Sequence, residues 1–593
     1  MALDTTDLRI QHAMLKEFRT LLPYYKTYAG RYAMGFLFLF ITDAGQLYLP
    51  QLIRSVIDHI SAGNVDLSLV GMKVLFMVGI AFLVAVGRFG WRYYIHGASR
   101  KIEKRLRARL FGHLLTLSPS FYGRISTGDL MARATGDMHH VRMASGMGFV
   151  ALFDGLFMTL FIIAIIVFQF PQLALIVLAP FPLITLQVLG IGRFLGRLFK
   201  AVQEGYASLS SHVQEALSGI LVLKAFVRED SNLKVFSGKN EDYKHRNLAL
   251  VRLWGFAFPM IHFLGGIVTL LLLRFGGMSV LEGGMSPGDF VAAMSYLAML
   301  IWPMLGMGFT VNMLERGGAS LARINAILRE EPEIRSPEEG VCCPQAGPIE
   351  VRDLSFTYPG SRVPALRNVS FTVRPGQTLG ILGRTGSGKS TLIRLLPRLL
   401  DTPPGTVFIS GRDVREYELS SLRSSFGIVP QETFLFSSTL SDNIAFGVDD
   451  APREAVEAAA EASTISRDIR LFPHGYETEV GERGITLSGG QKQRIAISRA
   501  LLTKPEILVF DDALASVDTS TEESILEGFI DLRRGKTNIL ISHRVSTLKF
   551  ADHIIVLEEG AIVQAGTHEE LIAREGFYAE IANLQRLEEE ESA

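Results

Sequence analysis

Thr378-Leu379-Gly380-Ile381-Leu382 runs directly into Gly383-Arg384-Thr385-Gly386-Ser387-Gly388-Lys389-Ser390, and an apolar, helix-compatible run from Thr391 to Leu400 follows. The first five residues read as a buried strand. The next eight satisfy G-x-x-x-x-G-K-[ST] in the setting that the pattern requires, with a strand before it and a helix after it. Glycines let the backbone curl so that consecutive N–H groups face phosphate oxygens, at a helix N-terminus that favours anions. Lys389 then supplies a point charge to the β- and γ-phosphates of a nucleotide such as ATP, and the Ser390 hydroxyl is placed to ligand Mg2+.

A phosphate loop of this kind needs a carboxylate from a neighbouring strand end. Ile507-Leu508-Val509-Phe510 runs into Asp511, which fits the Walker-B role of holding the metal through water. Asp512 follows, where a general base would orient the attacking water. From about residue 346 short β-rich runs alternate with helices, the pattern of an α/β domain with a largely parallel sheet.

The rest of the chain has a different character. Of 593 residues 48% are apolar and 20% charged, with a mean hydropathy of +0.26, which calls for membrane spans. The net charge of −1 argues against a nucleic-acid partner, which would draw a basic excess. Two adjacent cysteines, Cys342 and Cys343, make no disulfide framework and fit a reducing, cytosolic-facing environment. The N-terminal residues lack the basic region and apolar core of a signal peptide, so the N-terminus is expected in the cytosol.

Apolar stretches long enough to span a bilayer fall near 31–58, 69–96, 146–169, 172–195, 254–276 and 288–315. The long connections, 97–145 and 196–253, carry nine Lys or Arg each, whereas the short ones (59–68, Phe170-Pro171 and 277–287) carry none. The positive-inside rule therefore places both termini, both long loops and the C-terminal domain in the cytosol, as in a multi-pass protein of the inner or plasma membrane. Within the long loops, Arg100 to Leu117 and Ser208 to Val227 have helical apolar spacing, so the spans are expected to extend beyond the bilayer. An interfacial entry helix is expected at about 18–30. The fold expected is thus an all-α, six-helix transmembrane domain over 1–318, a polar linker over 319–345 and an α/β P-loop ATPase domain over 346–593. The closing Glu588–Glu591 run reads as a solvated, disordered tail.

Leu487-Ser488-Gly489-Gly490-Gln491 resembles the signature sequence of the ATP-binding-cassette (ABC) ATPases, and the family's other motifs occur in its order. Tyr358 resembles the aromatic that stacks on adenine, Gln431 the Q-loop glutamine near the metal, Ala515-Ser516-Val517-Asp518 the D-loop, and His543 the switch histidine. Glu479 to Gly484 resembles the segment of exporter-type cassettes that touches the membrane domain, and Phe121 to Arg133 and Gln214 to Glu229 the two cytosolic loops it meets. Six spans ahead of one cassette resemble an ABC exporter half-transporter. The resemblance implies that Tyr358, Gly383, Arg384, Thr385, Gly386, Ser387, Gly388, Lys389, Ser390 and Thr391 bind ATP. It implies that Ser390, Gln431 and Asp511 hold Mg2+, and that Asp512, His543 and Gln431 serve the chemistry. Two cassettes close head to tail in this family, so Ser488, Gly489, Gly490, Gln491 and Asp518 would complete the ATP site of a partner subunit.

One position departs from the pattern: most ABC exporters carry Glu after the Walker-B aspartate, and this chain has Asp512. The side chain is one methylene shorter, and the change resembles the degenerate half of a heterodimeric exporter. The reading that follows is a slow site here and a faster one on a different partner chain that carries Glu. The alternatives are a homodimeric lipid flippase, an exporter-fold siderophore importer and an ATP-binding regulatory subunit. Polar residues within spans suggest a substrate pathway: Asp43, Gln46, Asp154, Gln187, His262 and Asn312. A small amphipathic cargo, drug- or lipid-like, is expected.

Overall fold

A computed structural model describes residues 16–592 except 64–65, 179–180, 344–346, 482–483, 485–486 and 516–518. The chain divides into two compact units, one of Met1–Leu115 with Ser126–Glu330, the other of Thr116–Ile125 with Glu331–Ala593.

The first unit is helical. Its long helices are α1 (Ala29–Ser61), α2 (Leu67–Thr116), α3 (Thr127–Gln169), α4 (Phe181–Ser218, preceded by Pro171–Leu178), α5 (Glu229–Leu281) and α6 (Pro287–Leu328). They occupy the six expected stretches but run well past them, since nothing in the charged loops breaks the helical period. Among the described residues four, α1, α2, α3 and α5, are long and apolar enough to cross a membrane. The helices α2 and α3 stay continuous through single π turns at Arg92–His96, Arg133–Asp137 and Ala144–Gly148. Helix α1 packs on α2, α6 on α1 and α3, and α4 along α5.

Two expected boundaries differ from the structure. Residues 319–328 complete α6 rather than begin the linker, because Leu321, Ile324 and Ile327 keep helical spacing and are fully buried. The segment Thr116–Ile125, expected in a membrane-domain loop, clusters with the second unit. There Ser118 Oγ accepts the Ile334 amide at 3.2 Å and Ser120 bonds Glu333.

The second unit holds two sheets. Strands β1 (Ile349–Phe356), β2 (Leu366–Val373), β4 (Val407–Ile409) and β5 (Arg412–Asp413) form an antiparallel sheet in the order β2-β1-β4-β5. Strands β3 (Thr378–Gly383), β6 (Phe426–Val429), β7 (Ile507–Asp511), β8 (Thr537–Ile541), β9 (His553–Glu558) and β10 (Ala561–Gly566) form the main sheet, in the order β10-β9-β3-β8-β7-β6. All its pairings are parallel except β9 with β10. Period-two alternation divides its side chains between two cores. Leu379, Ile381, Val509, Ile539, Ile541 and Ile555 enter one; Leu382, Leu508, Phe510, Leu540 and Val556 enter the other. The acidic tail corrects the sequence expectation. Glu588–Glu591 continue a helix from Phe577 to Ser592, since glutamate is a good helix former and Tyr578 anchors that helix in the core.

Candidate nucleotide site

The carboxyl ends of β3 and β7 deliver the two halves of the site to one edge of the sheet. From β3 the chain turns through the glycine loop into helix α7 (Lys389–Leu395). Gly388 caps that helix at φ +102°, and a Cβ there would lie 2.6 Å from the Ala365 carbonyl. Only glycine combines that backbone with that proximity. Gly383 is pinned likewise: a Cβ would meet the Leu557 carbonyl at 2.4 Å.

Lys389 is 8% exposed, and its Nζ donates to the Gly383 and Arg384 carbonyls at 2.7 and 2.9 Å. The ammonium is folded back over the loop. Burial pushes its pKa down, while the charges of Asp512 and Asp511 oppose that shift. Ser390 Oγ donates to Asp511 Oδ1 at 3.3 Å, joining the two expected metal-side groups across α7 and β7. Burial pushes the Asp511 carboxyl up, and the Ser390 bond and the nearby Arg394 and Lys389 charges offset part of this.

These residues fit a magnesium–nucleotide complex. Ser387 Oγ is buried without a hydrogen-bond partner, an orphan that a phosphate oxygen would satisfy. Lys389 would meet phosphate, and Ser390 with Asp511 would hold the metal, which supplies charge neutralisation on the phosphates. Tyr358 hydrogen-bonds Thr391 Oγ1 at 3.0 Å and packs edge-on against Phe356, so the expected adenine platform is tied to the start of α7.

Asp512 and Gln431 come together. Gln431 Nε2 donates to Asp512 Oδ2 at 3.3 Å, and Asp512 N donates to the Ile541 carbonyl at 2.9 Å. Asp512 has φ +52°, a left-handed backbone that Asp and Asn tolerate better than other side chains. The expected switch residue His543 lies just past β8 and is exposed; its carbonyl accepts Gln585 Nε2 at 2.8 Å. Ser488 caps helix α8 (Gly489–Leu502) in a reciprocal capping box with Gln491: the Ser488 hydroxyl accepts the Gln491 amide at 3.2 Å, and Gln491 Oε1 accepts the Ser488 amide at 3.0 Å. Ser488 and Gly489 are exposed, so an anion-ready helix end faces outward. Asp518, with Ser516 and Val517, lies outside the described residues, as do Glu482 and Arg483.

In the helical unit the expected pathway residues separate. Asp43 and Asp154 meet, and Gln46 accepts Arg88 Nη2 at 3.1 Å. His262 and Asn312 lie exposed on the chain, and the Gln187 side chain is outside the described set. Sequence reasoning named Ser387 within the phosphate loop and missed Arg88. A cation inside the second apolar stretch was signal enough for Arg88.

Family comparison agrees over nearly the whole chain. Residues 32–304 match the ABC transporter transmembrane region and residues 366–515 the ABC transporter domain. The multidrug resistance-like ATP-binding protein MdlA of Escherichia coli is 38% identical over 576 residues, 97% of each chain. The probable multidrug resistance ABC transporter ATP-binding/permease protein YheI of Bacillus subtilis is 36% identical, covering 95% of this chain and 97% of the relative. An ATP-dependent lipid A-core flippase of Syntrophus aciditrophicus is 33% identical, covering 96% and 94%. Among solved structures, a bacterial Atm1-family ABC exporter with ATP bound superposes with a TM-score of 0.78 at 26% identity, covering 94% of this chain and 98% of that one. The chain belongs to the ABC transporter family as an exporter-type half-transporter, a helical transmembrane domain fused to one cassette that couples ATP hydrolysis to transport.

Proposed function

We propose that this chain is one half of a dimeric exporter of small amphipathic molecules, drug- or lipid-like, whose two ATP sites are unequal. The observation that carries the asymmetry is Asp512, the short carboxylate at the general-base position, tethered by Gln431 at 3.3 Å. Its reach is ~1.5 Å less than a glutamate's, and a ~1 Å misplacement costs roughly 100-fold in rate. Lys389, Ser390 and Asp511 bind Mg2+-ATP here and turn it over slowly. The outward-facing signature at Ser488 to Gln491, with Asp518, completes the faster site of a partner that carries Glu. Both termini and the cassette lie in the cytosol, supported by the Lys and Arg of the two long loops. Identity to multidrug resistance relatives supports the cargo class.

Expressing the chain with its partner tests this. Asp512→Ala then leaves total ATPase nearly unchanged, while truncating the partner's general base abolishes it. A second reading, a homodimeric lipid flippase in which Asp512 is a working base, draws on the lipid A-core flippase relatives and on the presence of His543 in the sequence. A stable dimer of this chain alone with brisk, lipid-coupled ATPase overturns the first reading in favour of the second. Flux into inside-out vesicles separates either from an importer.

A further inference from the structure

Strand β8 lies between β3 and β7, with Ile541 level with Ile381 on one side and Asp511 on the other. The chain that leaves it emerges between the phosphate loop and Asp512, whose amide bonds the Ile541 carbonyl at 2.9 Å. His543 is the second residue of that exit. It is exposed, and among the described residues its ring makes no hydrogen bond or ion pair. Its neighbours, in contrast, are held on every side. The Ser542 hydroxyl accepts the Arg544 amide at 2.9 Å and donates to Thr547 Oγ1 at 3.1 Å. Arg544 and Thr547 both donate to the carboxylate of Glu522, which is 2% exposed. The remaining hold comes from the C-terminal helix α9 (Phe577–Ser592), which packs against the short helix Val545–Leu548. Gln585 Nε2 donates to the His543 carbonyl at 2.8 Å, and Gln585 Oε1 accepts the Val545 amide at 2.8 Å. The base of α9 is fixed as well: Tyr578 is fully buried, and the Phe577 ring lies 4.9 Å from the Arg384 guanidinium of the phosphate loop.

The two bonds of Gln585 do different work. Val545 opens a helix whose N-cap residue, Arg544, makes no side-chain cap, and its amide is one of the donors that a helix start leaves unsatisfied. The bond to Oε1 alone would be an ordinary cap. The bond from Nε2 adds nothing to that cap. It fixes the plane of the peptide that follows His543, and with it the direction in which the imidazole leaves the backbone. A group that serves a reacting phosphate must be held closely, since ~1 Å of misplacement costs roughly 100-fold in rate. We propose that Gln585 is a positioning residue for ATP hydrolysis, holding His543 in the orientation that serves this chain's site. The inference rests on the reading of His543 as part of that site.

The test uses the full-length chain in the dimer it forms, in lipid nanodiscs, and follows single-turnover hydrolysis of prebound ATP. A different partner chain has its general base truncated, so that only this site turns over. Gln585→Glu keeps the acceptor for the Val545 amide and puts negative charge at a helix start, which favours it. It has no donor for the His543 carbonyl. The fold and the affinity for a fluorescent ATP analogue are therefore kept, while the hydrolysis rate falls about tenfold or more. A loss transmitted through the histidine does not add to the loss of the histidine itself. On a His543→Ala background, Gln585→Glu accordingly costs nothing further. A rate for Gln585→Glu within about twofold of the parent, or a fully additive loss in the double variant, overturns the proposal. His543→Ala by itself keeps the two claims apart. If it lowers the rate and Gln585→Glu does not, the clamp fails and the histidine keeps its place. If neither lowers the rate, the reading of His543 falls and the proposal falls with it.

Discussion

Replacing Asp512 with glutamate isolates the reach of one carboxylate. In the structure that residue is anchored twice: its Oδ2 accepts from Gln431 Nε2 at 3.3 Å, and its backbone N–H donates to the Ile541 carbonyl at 2.9 Å. The backbone direction is therefore set, and an added methylene advances the charge by ~1.5 Å along it. If ~1 Å of misplacement costs about 100-fold, Asp512→Glu returns about 100-fold in turnover, or ~2.7 kcal/mol of barrier. The gain has a structural cost. Residue 512 sits at φ +52°, where glutamate is less at ease than aspartate by on the order of 1 kcal/mol. A loss of about 2–4 °C in the Tm of the cassette follows for a domain of that size. The assay is phosphate release from a reconstituted pair whose partner carries a truncated general base, so that only this site turns over. Binding of a fluorescent ATP analogue checks that occupancy is unchanged. Turnover within about twofold of the parent, with ATP bound normally, refutes the argument from reach. It would show that Asp512 already serves as a competent base.

Other outcomes follow from the same geometry. Lys389→Ala removes a buried ammonium that caps two loop carbonyls and weakens ATP binding about 100-fold, or ~2.7 kcal/mol, read by the same fluorescent analogue. Ser488→Ala breaks the capping box of α8 and lowers cassette stability by about 1 kcal/mol, measured by chemical denaturation, while the partner's site loses turnover. For Asp511, whose folded pKa lies above the ordinary 3.8, the stabilising contribution is present at low pH and is lost as pH rises through the folded value. Ionised Asp511 is then a liability without magnesium, so Asp511→Asn raises the nucleotide-free Tm at pH 7.5 and flattens its pH slope, while Mg2+-dependent ATPase falls. Topology is checked with a membrane-impermeant maleimide on intact cells. Exposed Cys342 stays unlabelled, and Glu282→Cys, exposed in the short segment between α5 and α6, reacts.

Much of the nucleotide site was legible because its chemistry is local. Gly383 to Ser390 are consecutive, and a strand–loop–helix order is enough to aim their amides. Asp511 could be placed at a strand end from four apolar residues before it. The Ser390–Asp511 and Gln431–Asp512 contacts join residues 121 and 81 positions apart, and no spacing rule carries such distances. The long helices were legible as apolar stretches, but their ends were not. Leu321 to Leu328 already reads as helical in the sequence, but only packing shows that it continues α6, because its apolar residues find a core to enter. The acidic tail misled for a related reason: a like-charge run is disordered only when nothing upstream has already nucleated a helix.

Sequence by itself determined the cassette chemistry, the two-unit organisation and the short carboxylate at 512, since each depends on residue type and near neighbours along the chain. Tertiary structure alone decided that Asp512 takes a left-handed backbone under the Gln431 amide, and that Lys389 is folded onto its own loop. It alone decided that Asp43 is buried beside Asp154 of another helix and that Arg88 of a third reaches Gln46. Burial and the pairing of distant charges arise only when helices pack, because the cost of a desolvated charge depends on what else has been brought beside it.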